Sequence, residues 1–142
     1  MKYCRINLSK TNYAPLEKFV MYITPPAGQL QSIYEAYCKY KKFDSVMPIF
    51  DSQFADVKND TYGYPDKSGK IVAFSIVRRH DSYNAESLQF AWNYEDPTLR
   101  LGIRSLEHEC AIYKNWGFKY LYLGHVADYK SQIAGYEELG KL

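Results

Sequence analysis

The sequence predicts a mixed α/β fold, in which short strands are interrupted by two helices. Strand-like runs of β-branched, aromatic and other apolar residues fall at residues 2–8, 18–24, 71–77, 87–94 and 118–123. Helical spacing of apolar residues indicates one helix over about residues 28–42 and another over about residues 102–116. Because the second helix separates two strands, it predicts a crossover that joins neighbouring parallel strands.

The first half of the chain carries one clear helix and weaker signals around it. Apolar residues at i, i+3, i+4, i+7 and i+8 form one helical stripe: Leu30, Ile33, Tyr34, Tyr37 and Cys38. Beyond this helix, Val46–Val57 contains a weak strand pattern, and Lys58–Gly69 is polar and rich in turn residues. We therefore expect a strand and then an extended turn between residues 46 and 69.

The second half carries stronger patterns. Ile71–Val77 is apolar on both faces, which is typical of a central strand that is covered on both sides. After a turn at residues 80–85, alternation in Ser87–Tyr94 places four side chains on one face: Leu88, Phe90, Trp92 and Tyr94. In the following helix, four apolar residues face the sheet: Ile103, Leu106, Cys110 and Tyr113. His108 is predicted on the outward face of this helix.

Length, charge and cysteine content narrow the function classes. A chain of 142 residues has the usual size of one domain, so residues 1–142 are predicted to form a single domain. A formal net charge of +2 is not the strongly basic footprint of a duplex-binding protein. Three widely spaced cysteines argue against a disulfide framework and a thiolate metal site. With no signal-peptide or membrane-spanning pattern, we expect a cytoplasmic protein without membrane contact.

The first candidate site is the turn from Asp96 to Ser105, which leads from a strand into a helix. Unpaired backbone N–H groups at a helix start favour an anion, and Gly102 has no side chain to prevent close approach. Arg100 and Arg104 flank it with guanidinium groups that suit phosphate oxygens. The pattern favours a phosphate-bearing donor, and the alternative is a loop glycine between two solvated arginines.

The second candidate site lies at the end of the run Tyr120–His125. Its carboxyl end opens on the same sheet edge as the Gly102 turn, where open α/β folds bind ligands. A histidine at this point, His125, suits a general base, and a tyrosine hydroxyl such as that of Tyr129 could return a proton to a leaving group. The alternative is a surface histidine after a strand. Catalytic triad, zinc-protease, P-loop and dinucleotide motifs are absent from the sequence.

The second half also resembles a known family. The matching segments, in order, are Gly69–Phe74, Tyr94–Pro97, Leu101–Ser105 with Glu109, and Gly117–Gly124. They resemble the C-terminal domain of arginyl-tRNA–protein transferases and their bacterial leucyl-transferring relatives, which have a GNAT-like fold. The resemblance implies a central, mostly antiparallel sheet with a parallel βαβ crossover, flanked by helices.

In function, the resemblance implies transfer of an amino acid from aminoacyl-tRNA to an amine, without a required cofactor. The acceptor would be a peptide or protein N-terminus or a small amine. The candidate catalytic residues are His125, Tyr129 and Tyr122. The candidate donor-binding residues are Arg100, Leu101, Gly102, Ile103, Arg104 and Ser105. The candidate acceptor-binding residues are Tyr94, Lys130 and Tyr136.

Departures from the family leave two alternatives open. The chain lacks the family's N-terminal cysteine cluster, and His125 stands where the family has tyrosine. An acetyl-CoA loop would need Arg or Gln at position 99 and a small residue at 104, where this chain has Leu99 and Arg104. The alternatives are an acyl-CoA-dependent N-acyltransferase and a non-catalytic binding module, and a homodimer is an alternative to the monomer.

Overall fold

A computed structural model of the protein describes residues 2–125 and 127–140. Its strands are β1 (Tyr3–Asn7), β2 (Val20–Tyr22), β3 (Asn59–Pro65), β4 (Ile71–Arg79), β5 (Asn84–Trp92), β6 (Tyr120–His125) and β7 (Tyr136–Glu138). Its helices are α1 (Ala27–Lys41), α2 (Asp51–Ala55) and α3 (Leu101–Asn115). The seven strands form one sheet in the order β2-β3-β4-β5-β6-β1-β7. None of the helices in the described part of the chain is long and apolar enough to cross a membrane.

The sheet is antiparallel except for the pair β5–β6, which is parallel and is joined through α3. This arrangement confirms the predicted mixed α/β fold, its mostly antiparallel sheet and its crossover helix. The bounds of α1 and α3 agree with the two predicted helices to within a residue. Strong apolar periodicity therefore placed both long helices correctly.

Two apolar clusters cover the two faces of the sheet. On one face, α1 packs on β4 and β5 through a cluster that includes Leu30, Phe74 and Ile76. On the other face, α3 packs on the sheet with a larger cluster that includes Leu106 and Leu121. Because neighbouring side chains of a strand point to opposite faces, β4 and β5 each contribute to both clusters.

Strands β5 and β6 separate part-way along their length. Their pairing runs from Asn84 opposite Tyr120 to Glu86 opposite Tyr122, although β5 continues to Trp92 and β6 to His125. At the same level β5 has a bulge at Leu88, because β4 residues Val77 and Ile76 pair with Ser87 and Gln89 respectively. A gap therefore opens in the middle of the sheet, beside a bulge of the kind that is common next to active sites.

Two expectations for residues 46–69 are wrong. Val46–Val57 forms an irregular loop and then α2, which begins where the side chain of Gln53 accepts a hydrogen bond from the backbone of Phe50. Lys58–Gly69 contains β3, whose side chains from Asp60 to Tyr64 are buried. Tyr62 and Tyr64 are core residues whose hydroxyls hydrogen-bond to buried Tyr113 and Glu109. The segment is therefore a buried strand although its sequence is polar.

His108 is buried and does not lie on an outward face of α3, which corrects the sequence-based expectation. The segment before β2 covers this side of the helix: the backbone N–H of Leu16 donates to His108 Nδ1 at 2.9 Å. The ring of Phe19 packs against the imidazole with centroids 4.3 Å apart. A helix that is covered on two sides buries more than its apolar stripe.

The last strand, β7, pairs with β1 and forms one edge of the sheet. Gly135, which precedes β7, has a φ of +79°, and a Cβ atom there would collide with the carbonyl oxygen of Asn7. Glycine is the residue that meets both requirements. Short polar strands of this kind carry little apolar periodicity, so the sequence did not predict β7.

Candidate functional site

The gap between β5 and β6 is a cavity of about 190 Å³, here called the inner cavity. It is bounded by α3, by the bulged part of β5, by β6 and by the 3₁₀ turn Asp128–Gln132 that follows β6. The lining residues are Tyr37, Ser87, Leu88, Gln89, Phe90, Gly102, Ser105, Leu106, Glu109, Leu123, Tyr129 and Lys130. Four of them, Tyr37, Phe90, Gly102 and Tyr129, also line a second cavity of about 330 Å³, here called the outer cavity. The two cavities form one groove.

Glu109 borders the inner cavity and is 2% exposed. The hydroxyls of Tyr64 and Ser75 donate to its Oε2 at 2.7 and 2.9 Å. Burial nevertheless raises the pKa of the carboxyl from 4.5 to about 7, because the two hydrogen bonds do not replace the lost hydration. A carboxyl group with this pKa exchanges protons near neutral pH, which is what a general base or acid requires.

Tyr129 and Lys130 close the inner cavity from the turn after β6. Partial burial raises the pKa of the Tyr129 hydroxyl to about 12, so it stays protonated at neutral pH. The Lys130 ammonium donates to the carbonyl oxygens of Leu123 and His125, both at 2.8 Å, where β6 falls out of register with β1. Burial lowers the pKa of Lys130. The cavity therefore holds a carboxyl, a phenol and an ammonium group.

The outer cavity is lined by stacked aromatic rings and two cations. Tyr94 lies between Tyr40 and Trp92, with centroids 4.1 and 4.5 Å away, and has a φ of +60°, which is uncommon for a residue other than glycine. Lys41 Nζ lies 5.4 Å from the centre of the Tyr94 ring, and Arg100 lines the same cavity. The outer cavity therefore presents positive charge and a wall of mutually stacked aromatic side chains to a ligand that enters the groove.

The start of α3 separates the two predicted arginines. Arg100, with a φ of +50°, lines the outer cavity, whereas Arg104 lines a different cavity beside Leu101, Pro65 and Asp66. Gly102 borders both parts of the groove, Ser105 the inner and Ile103 the outer part. Arg104 is therefore not among the residues that line the groove, although position 104 falls in the segment predicted to bind the donor.

Three other predicted site residues lie outside the groove. Tyr122 faces the opposite side of the sheet from Leu121 and Leu123, and its hydroxyl accepts a hydrogen bond from Arg5. His125 is exposed and its ring packs against Tyr3, with centroids 4.8 Å apart. Tyr136 lies on β7, opposite Ile6 of β1. The structure brings together Tyr129, Lys130, Tyr94 and most of the predicted donor residues, but not these three.

Sequence reasoning missed the chemical role that Glu109 can play, together with its partners Tyr64 and Ser75. Glu109 was noted only as a matching residue of the resemblance. A stronger signal was available, because it lies four residues before Tyr113 and three after Leu106, on the apolar stripe of the helix. A carboxyl group on such a stripe needs buried partners. No group of three or more His, Cys, Asp or Glu side chains in the described part of the chain could hold a metal ion.

No protein-family model matches the chain, and no curated protein sequence does. Solved structures match it well. L-PGS from Bacillus licheniformis superposes with a TM-score of 0.66 at 13% identity, over 88% of this chain and 46% of that one. A GNAT-family protein of Novosphingobium aromaticivorans that bears the name acetyltransferase gives 0.63 at 17% identity, over 96% of this chain and 58% of that one.

The chain has the GNAT fold. N-myristoyltransferase of Saccharomyces cerevisiae with bound myristoyl-CoA also matches, with a TM-score of 0.60 at 12% identity, over 87% of this chain and 41% of that one. The chain thus spans less than two thirds of the length of each of these three structures. At such identities the shared feature is the GNAT fold with its mixed sheet and parallel pair.

Proposed function

We propose that this GNAT-fold domain transfers an acyl group from an activated donor to an amine in the groove between β5 and β6. The observation that carries the proposal is the position of Glu109, a buried carboxyl with a pKa of about 7 on the inner cavity. It lies where the two strands separate, opposite the bulge of β5. A base of that strength beside an acyl-sized space suits attack by an amine.

In the proposed reaction the donor carbonyl occupies the inner cavity beside the backbone of Ser87–Phe90. The acceptor nitrogen forms a bond to the carbonyl carbon, and its proton passes to Glu109. The bond from that carbon to the donor's ester oxygen, or thioester sulfur, then breaks. The leaving atom takes a proton from the Tyr129 hydroxyl. Tyr129 then regains a proton from solvent, and Glu109 gives its proton up to solvent. Holding both reactants in one groove supplies much of the rate acceleration.

We propose an aminoacyl ester of tRNA as the donor. The inner cavity, at about 190 Å³, borders Glu109, Tyr129 and Lys130, so it suits a short polar acyl group better than a long hydrocarbon chain. The outer cavity offers the positive charge of Arg100 and Lys41 to the phosphates, and an aromatic wall to the nucleoside, of the tRNA end that bears the ester. The sequence resemblance supports the same donor.

An acyl-CoA donor is the second candidate. The observation that favours it is the direction of Arg104, which leaves the start of α3 at Gly102 open toward the groove. One of the matching structures holds myristoyl-CoA. CoA also carries an adenosine and phosphate groups, so the same surface would serve it.

Thermal shift separates the two donors. The protein is heated with acetyl-CoA and, separately, with aminoacylated tRNA at low salt. We expect tRNA to raise the unfolding midpoint, salt to remove this effect, and Arg100→Ala to reduce it more than the matched control Arg104→Ala. Stabilisation by acetyl-CoA alone would favour the second candidate.

A transfer assay tests the reaction itself. The product of each donor with peptides that have free amino groups is detected by mass spectrometry. The proposal predicts an amide product with at least one donor. No product and no stabilisation with either donor would contradict acyl transfer and leave the GNAT fold as a binding module.

A further inference from the structure

An ordered loop with outward apolar side chains joins α1 to α2. Phe43, Val46, Met47 and Phe50 are 51%, 44%, 74% and 56% exposed. The loop is held in place from beneath, because the Tyr34 hydroxyl donates to the carbonyl oxygen of Met47 at 2.7 Å. Ile49 packs into the cluster beneath α1. The backbone is thus fixed while the apolar side chains face outward.

Lysines border these side chains. The last turn of α1 and the residue after it carry Lys39, Lys41 and Lys42, all exposed. Residues 39–50, here called the lysine–apolar loop, contain three lysines and one acidic residue, Asp44, so the segment has a net charge of +2. The exposed Tyr40 lies among the lysines. Positive charge therefore lies at one end of a segment that exposes four apolar side chains within eight residues.

We propose that the lysine–apolar loop docks on an anionic lipid surface. Apolar and aromatic side chains would enter the boundary between headgroups and acyl chains, while the lysines contact anionic headgroups. A lipid surface fits better than a nucleic acid, because it accepts the aliphatic Val46 and Met47 as well as the rings of Phe43 and Phe50, whereas base stacking would use the rings alone. The four apolar side chains line none of the cavities described above, which disfavours a small ligand.

The inference does not rest on the proposed function, but the two have a connection in space. Lys41 belongs to the lysine–apolar loop and also lines the outer cavity. Docking of the loop would therefore bring the mouth of the groove to the lipid surface. Such docking needs no membrane-spanning helix, and the expectation from sequence that the chain makes no membrane contact considered spanning segments alone.

Vesicle sedimentation tests the proposal without any donor or acceptor. The full chain is mixed with vesicles of phosphatidylcholine alone or of phosphatidylcholine with phosphatidylglycerol. We expect binding to the anionic vesicles, and a loss of about tenfold or more in affinity for Met47→Ser combined with Phe50→Ser. Lys39→Gln combined with Lys42→Gln should weaken binding at low salt and make the remaining binding less sensitive to added salt, because salt screens the attraction that these lysines supply. These side chains are exposed, and circular dichroism checks that each variant is folded.

Ile23→Ser is the matched control, because Ile23 is fully exposed but lies before the start of α1, at its other end. This control should bind as the unchanged chain does. The proposal is overturned if the chain binds neither vesicle, binds neutral vesicles equally well, or keeps its affinity in the Met47/Phe50 variant. A dimer that the same variant dissociates would assign the loop to a second copy and would also overturn it.

Discussion

The two faces of β6 differ in what surrounds them, although their residues alternate along one short strand. On the α3 face, Leu121 and Leu123 are buried, and Leu123 lines the inner cavity together with Glu109. On the other face, Tyr120 and Tyr122 hold Arg5, whose guanidinium lies 3.8 Å from the centre of the Tyr120 ring and which pairs with Glu137. Both faces carry charged and hydroxyl groups, so composition alone does not separate them.

The difference lies in the separation of the strands. On the α3 face the gap between β5 and β6 creates an enclosed space, and burial there moves the Glu109 pKa toward neutrality. On the other face the Arg5–Glu137 pair is partly exposed. The hydrogen bond that Arg5 donates to Glu137 lowers the pKa of the Glu137 carboxyl. Enclosure therefore makes one carboxyl a candidate base while the other remains an ordinary ion-pair partner.

The largest expected effect comes from Glu109→Gln. Loss of the carboxyl removes the proposed base but keeps the size and an oxygen that accepts from Tyr64 and Ser75. We expect the kcat of transfer to fall by about a hundredfold or more. The matched variant on the other face is Tyr122→Phe, which should keep activity within about twofold, as surface changes away from a site do. A similar loss in both variants would remove the distinction between the two faces.

The second prediction concerns the pH dependence of stability and the neighbours His108 and Glu109. Because the folded-state pKa of Glu109 is about 7 against an ordinary 4.5, the folded protein binds the extra proton, and this contribution to stability is lost as pH rises from 4.5 to 7. Burial lowers the pKa of His108 from 6.5 to about 4, so its contribution is gained as pH rises through that range. Between pH 4.5 and 6.5 the Glu109 and His108 contributions therefore change the free energy of unfolding in opposite directions.

In Glu109→Gln, the pH dependence of stability should keep the His108 contribution and lose that of Glu109. We expect the free energy of unfolding of this variant to rise from pH 4 to 6.5. Its advantage over the unchanged chain should develop between pH 4.5 and 7 and reach up to about 3 kcal/mol at pH 8. Urea unfolding at a series of pH values measures the difference between the two proteins. Glu95→Gln, an exposed change, serves as the control. A difference that does not vary with pH would contradict the raised pKa.

The third prediction compares Tyr129 with His125, since both were predicted to be catalytic. Of these two residues, Tyr129 lines the groove and His125 does not. Tyr129→Phe should lower kcat about tenfold if its hydroxyl protonates the leaving group. His125→Ala should keep kcat within about twofold because its ring packs on Tyr3 outside the groove. Steady-state kinetics of both variants measures the two losses of kcat. A larger loss in His125→Ala than in Tyr129→Phe would restore His125 as the catalytic residue predicted from the sequence.

These residues also indicate how far the sequence leads. Apolar periodicity predicted α1, α3 and the central strand β4, because each buries a face or both faces of an element. The convergence of Gly102, Tyr129 and Lys130 followed from the rule that ligands bind at the carboxyl ends of strands. The order of strands and helices thus predicted that these three residues lie close together, but not that the groove opens between β5 and β6.

The parts that were not predicted depend on partners distant in sequence. Glu109 takes its partners from β3 and β4, 45 and 34 residues away. The face on which Tyr122 lies depends on the parity of β6 relative to α3, and a one-residue difference reverses it. β3 was missed because its core side chains are tyrosines and an aspartate rather than aliphatic residues.

The smallest expected effect belongs to Lys130, which connects the groove with the backbone of β6. Lys130→Met keeps the length of the side chain but removes the hydrogen bonds to the carbonyls of Leu123 and His125, and leaves the Cys4 Sγ–H, 3.8 Å away, as a weak donor to the His125 carbonyl. We expect unfolding to become easier by about 1–3 kcal/mol. Lys10→Met, at an exposed lysine after β1, should change stability by less than about 0.5 kcal/mol. Equal urea midpoints for the two variants would mean that water replaces the ammonium without any loss of stability. The end of β6 would then keep its position against the inner cavity without Lys130.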